Sequence, residues 1–209
     1  DMAVISLERM PLISYGLMNM QSDFRALMSE QYFLTRSYIV SLAADFGNKD
    51  VIATRLYALP VKQIEKIQMI FGTSSMSTLL HLLQMQVIYL ITLTGAMKEG
   101  EQVNLDATTS QLYKNADDIS AHYAGINPFW EVTQWRNLLY TYIAMTIDGT
   151  ISLMANNFER DMDISARLLH HSLNMGDYLT SGVFQYLSVA QRNARVERNK
   201  ALKDAVEKR

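Results

Sequence analysis

Three prolines and nine glycines are all that interrupt 209 residues. A chain with so few breakers has little means of making the repeated tight turns that a sheet of short strands requires. Between the breaks, apolar residues recur at i, i+3, i+4 and i+7, and strand-type alternation is nowhere sustained. The expected fold is therefore all-α: an antiparallel bundle of four to five long helices, with two short helices between the first and the second.

The first long helix is expected from an N-cap at Ser22 to about Phe46, stopped by Gly47 and Asn48. Its buried stripe would be Phe24, Leu27, Met28, Gln31, Leu34, Tyr38 and Leu42. Pro60 is expected to break the next stretch into two short helices, 50–58 and 61–71. Further long helices are expected near 75–98, 105–124, 130–156 and 159–187, the last continuing into the charged tail. Gln86 falls in the second long helix's stripe, among Leu79, Leu83, Leu90 and Leu93, and Tyr142 in that of the fourth, among Trp135, Leu138 and Leu139. This divides the chain into an apolar N-terminal arm (1–20), the bundle (21–187) and a basic helical tail (188–209).

Hydrophobic residues make up 49% of the chain and charged residues only 19%. So small a charged fraction leaves apolar surface to be covered, which points to association with further copies of itself. A net charge of −2 gives no overall attraction to nucleic acid. The charge is uneven, however: seven cations and three acids follow Leu187, so the tail is +4 and the remainder −6. With no cysteine there is no disulfide or thiolate chemistry, and the compartment stays open. The first residues lack the basic start of a signal peptide. The opening Asp1 leads us to expect that something upstream was processed or trimmed. The uncharged run Ser74–Met97 is long enough to span a bilayer, but His81, Gln84, Gln86, Thr92 and Thr94 suit the core helix of a bundle better.

Signatures of chemistry are few. The sequence has no phosphate-cradling glycine loop, no nucleophile elbow and no Glu-x-x-His of the kind a di-iron bundle uses. His170 and His171 are adjacent, so they point about 100° apart on a helix and cannot chelate together. Asn115, Asp118 and His122 lie at i, i+3 and i+7, and Asp118 with His122 forms a possible ligand or proton-transfer pair. The same spacing serves equally for ordinary hydrogen bonds. The thirteen methionines are scattered at core-like positions.

The segment Leu112-Tyr113-Lys114-Asn115-Ala116-Asp117-Asp118-Ile119, followed by Ile126-Asn127-Pro128-Phe129-Trp130 and Trp135, resembles a family of small helical proteins from spore-forming bacteria. Its members are often labelled acetylglutamate kinase or glycosyltransferase, and neither activity suits a chain with no α/β pattern or phosphate loop. The resemblance runs from about Phe24 to Leu187. It implies histidines on three helices, where this chain has Gln31, Gln86 and Tyr142, and a glutamate where it has Asp118. Amides and a phenol are poor ligands for zinc or iron. The expectation that results is a buried polar network of Gln31, Arg36, Gln86, Asn115, Asp118 and Tyr142, with no metal, no cofactor and no catalytic residue. The function expected is that of a non-catalytic structural or interaction protein, self-associating through its terminal extensions and capable of forming a filament. The alternative is a bundle that binds a metal or small ligand at the polar core, as a degenerate enzyme would.

Overall fold

The structure, a computed structural model, describes residues 15–207. Six α-helices follow one another: α1 (Tyr15–Ala43), α2 (Lys49–Phe71), α3 (Met76–Glu99), α4 (Gln102–Ile126), α5 (Val132–Met154) and α6 (Phe158–Glu207). No strand occurs among the described residues. Links this short make each helix double back on the one before it. Every helix packs on its successor, and α6 packs in turn on α1, so the six close into a ring. Cross-contacts run in the antiparallel sense: Arg25 meets Asp177 and Arg36 meets Asp161. Likewise Asn115 reaches Leu82 while His122 reaches Ser75.

The expected stripes are the core. Phe24, Ile67, Leu79, Leu112, Ile119, Ile143, Leu179 and Val183 are fully enclosed. α3 is the one described helix long and apolar enough to cross a membrane, and in the ring its apolar stripe lies against α2 and α4.

Several boundaries differ from those expected. There are six long helices rather than four or five, because the two short ones are a single helix, α2, running through Pro60. Proline forfeits one backbone hydrogen bond in mid-helix, at roughly 3 kcal/mol. Here Pro60 is buried in the continuous stripe Leu56, Leu59, Gln63, Ile64 and Ile67, and that packing overrides the local penalty. Helix α1 starts before Ser22, which is exposed and inside the helix rather than capping it. It ends at Ala43, short of Gly47: Asp45 takes the left-handed turn (φ 55°), and the Phe46 N–H returns to the Ser41 carbonyl at 2.9 Å. Of the expected arm, residues 1–14 lie outside the described residues, and 15–20 belong to the first turns of α1. The tail is no separate element but the continuation of α6, which is 50 residues long.

Aromatic side chains hold together the end of the ring where α6 departs. Tyr123 stacks on Trp135 (centroids 4.4 Å apart, planes 16° apart) and meets Trp130 edge-on, while Phe71 lies against both Trp130 and Tyr186. The Trp130 indole N–H donates to the Leu179 carbonyl at 3.3 Å, and the ring lies against Gly182. A Cβ on Gly182 would stand 2.0 Å from Trp130 Nε1. Gly182→Ala should therefore cost about 3 kcal/mol or more of unfolding free energy. Gly95→Ala, at a helical position with no atom within 4 Å of an added Cβ, should gain about 0.5–1 kcal/mol by lowering the entropy of the unfolded chain. Urea unfolding of the two variants checks both signs.

Candidate functional site

Every helix contributes buried polar groups to the inside of the ring. Gln31 of α1, Gln63 of α2 and Gln86 of α3 line one enclosed cavity, together with Leu27, Leu56 and Leu83. The cavity measures about 10 Å³, which is room for no more than a single water. Gln63 donates its amide to the Tyr123 hydroxyl across the ring. Gln86 is 3% exposed, and its Nε2 has no hydrogen-bond partner among the described residues.

Tyr142 of α5 sits beside this cavity group, its hydroxyl donating to Thr35 Oγ1 at 3.2 Å and hydrogen-bonded also to Gln31. Burial pushes its phenol up from the ordinary 10.0 to about 12, against the smaller opposing effect of those two hydrogen bonds. Burial raises Tyr123 as well. Both phenols are held neutral in the folded protein and act as hydrogen-bonding groups.

The six residues expected to form one network do not all meet. Gln31, Gln86 and Tyr142 are gathered at the centre. Asn115 is buried nearby on α4 but turns to the backbone, its Nδ2 donating to the Leu82 carbonyl at 3.1 Å. Arg36 follows Thr35 directly on α1, but its guanidinium turns to α6 and grips Asp161 with two hydrogen bonds, one of 2.8 Å. Asp161 is 1% exposed, which makes this the most enclosed charge in the structure. Asp118 is outside the network altogether: it is exposed and pairs with Lys114 one turn away at 2.8 Å. The buried face of α4 is centred near Leu112, Ile119 and Tyr123, and position 118 falls about 120° round the helix from it. His122 does not meet Asp118 either, since its Nε2 lies 2.8 Å from the Ser75 carbonyl. The supposed ligand pair is thus two unrelated surface contacts.

Gln63, Thr35 and Asp161 belong to the polar interior but were absent from the expected set. A readable signal existed for Gln63. On an unbroken α2 it continues the stripe of Leu56, Leu59 and Ile67, and splitting the helix at Pro60 hid that. Asp161 falls in the first turn of α6, where acids are common enough to draw no notice. Among the described residues, no three His, Asp or Glu side chains converge in a way that could hold a metal ion. No protein-family model matches the chain, and no curated protein or solved structure is similar to it. The interior's chemistry is hydrogen bonding between neutral groups, plus one ion pair.

The raised Tyr142 phenol fixes a direction for pH. Between pH 10 and 12 the unfolded chain has lost this proton while the folded protein still holds it. The unfolded state then binds fewer protons, so stability falls as pH rises through that window, by about 2–3 kcal/mol for this group. Tyr142→Phe should lose about 1 kcal/mol at neutral pH with its hydrogen bonds and should flatten, but not abolish, the alkaline fall, because Tyr123 remains. Urea midpoints measured from neutral pH to pH 11 would show both effects.

Proposed function

We propose that this chain is a non-catalytic structural protein that associates with copies of itself through its extensions. One observation carries the reading. Helix α6 continues past Leu187, its last residue packed on the core, and every residue from Val189 to Ala205 is exposed. At 1.5 Å per residue this is a rod about 27 Å long. An isolated helix of that length is marginal in water, and this one displays Val189, Val196 and Leu202 to solvent. An exposed apolar side on a helix that folds back on nothing suits an interface. The N-terminus of α1 lies at the same end of the ring, and seven of the first thirteen residues of the sequence are Met, Val, Ile or Leu.

The small interior cavity and the neutral groups around it favour an architectural role for the polar layer: it sets which helix faces meet. A ligand at that layer, the alternative reading, would have to displace core side chains from a space of about 10 Å³. The family resemblance noted above fits the same proposal, with the ligating histidines given up for groups that only hydrogen-bond.

Multi-angle light scattering of the full chain and of a version confined to residues 15–187 tests the proposal. The full chain should give a mass that is a multiple of 23.8 kDa, rising with concentration, while the trimmed form stays monomeric. Identical monomeric masses would end the self-association reading. Metal analysis of the purified protein addresses the alternative, for which a stoichiometric ion lost in Gln86→Ala would speak.

A further inference from the structure

The two ends of the ring are chemically unlike. At one end lie the links α1–α2, α3–α4 and α5–α6. A cleft of about 580 Å³ opens among them, walled by Val40, Ala43, Phe46, Met97, Leu153 and Phe158, with Lys98 at its wall paired to Asp45. Phe46 and Phe158 are each more than half exposed there. The links around it carry an excess of acids. Asp45 and Asp50 flank the first link, Glu99, Glu101 and Asp106 the second, and Glu159 and Asp163 follow the third. All seven are exposed, and the same segments offer only Lys49, Lys98 and Arg160 in return, a net of 3 − 7 = −4. Asp161 is left out of this sum because Arg36 already answers it.

At the opposite end α6 leaves the ring carrying the opposite sign. Over residues 188–205 it bears Arg192, Arg195, Arg198, Lys200 and Lys203 against Glu197 and Asp204, a net of 5 − 2 = +3. Val189, Arg192, Val196, Lys200 and Lys203 stand at i, i+3, i+7, i+11 and i+14, and so share one side of the helix. That side mixes apolar and cationic groups, the complement of an apolar cleft among acidic links. Within one copy the two surfaces cannot meet. The helix is continuous and points away from the cleft, and the ends of the ring are separated by roughly 35 Å, the length of a 23-residue helix such as α2.

We propose that the basic tail of one copy docks its Val189–Lys203 side into the cleft among the acidic links of the next copy. This rests on the self-association reading and names its contact. The two surfaces differ and lie at opposite ends, so each union leaves one free tail and one free cleft. Such a heterologous contact propagates head to tail into a filament unless the rotation between copies closes a ring.

Sedimentation velocity on the full chain tests the contact. Assembly should be pronounced at about 50 mM salt and at least tenfold weaker at about 500 mM, where surface charges are screened within a few ångströms. A tail-reversed chain (Arg192→Glu, Lys200→Glu, Lys203→Glu) and a link-reversed chain (Glu99→Lys, Glu101→Lys, Asp106→Lys) should each sediment as monomers. Every one of these side chains is exposed, and unchanged helical circular dichroism confirms that the ring is intact. Mixing the two variants should restore assembly, because each then offers the other a matched tail and cleft. Wild-type assembly by both variants, or no rescue on mixing, would overturn the tail-to-cleft contact while leaving self-association standing. A wild-type chain that stays monomeric at low salt would remove both.

Discussion

Backbone meets backbone where α6 comes back to α1, and closure of the ring depends on that seam. Gly176 makes it possible: a Cβ there would lie 2.9 Å from the Arg25 nitrogen and 3.0 Å from its Cα. Two ion pairs flank the close approach. Arg25 holds Asp177 with paired bonds of 2.6 and 2.7 Å, and Arg36 holds Asp161 further along. The Arg25 guanidinium keeps the Asp177 carboxyl below the usual carboxylate range. The two pairs are not equivalent. The outer one is wet and contributes little, whereas removing Arg36 would strand a buried carboxylate, a loss of the 3–5 kcal/mol class. Without the seam, α1 and α6 would each keep a bare apolar stripe, and the six antiparallel helices would remain as an open layer.

Inside the ring, polar side chains mostly serve their own helix. Thr94, Ser120, Thr146, Thr150, Ser172 and Thr180 are buried, and each returns its hydroxyl to the carbonyl four residues earlier. Such bonds satisfy the hydroxyl locally and carry no information about the neighbouring helix. Relative placement therefore falls to groups that cross between helices: Gln63 to Tyr123, Tyr142 to Thr35, Asn115 to Leu82, Arg36 to Asp161, His171 to Leu138, and Tyr140 and Arg136 to Asp117. A dry interior of leucine and isoleucine tolerates many alignments, while a set of directional contacts tolerates few.

Helix content and the buried stripes were legible in the sequence because both follow from one period, repeated over long stretches. Phe24 to Leu42 and Leu79 to Leu93 are buried much as that period requires. What could not be read is what tertiary packing overrides. The proline penalty at position 60 is local and clear, and the stripe that outweighs it becomes visible only when Leu56 and Ile67 are seen on one wall. The polar centre was half legible. Gln31, Gln86 and Tyr142 stood out as polar residues within apolar stripes, and they do gather. Arg36 was grouped with them by resemblance, and Asp118 by resemblance and by its spacing from Asn115; helical angle sends one to a partner on α6 and the other to solvent.

The reach of α6 beyond the ring has a consequence for cooperativity. Starting a helix is the unfavourable step, because several residues must be fixed before the first hydrogen bond forms. The protruding segment is spared that step, since its first turn is the last turn of a helix already clamped by Tyr186 and Leu187. Order can then propagate outward one residue at a time, decaying with distance from the clamp. The effective length of the rod is thereby set by the integrity of the body to which it is attached, so loosening at Trp130 or Gly182 would be felt as premature fraying at Val196 and Leu202.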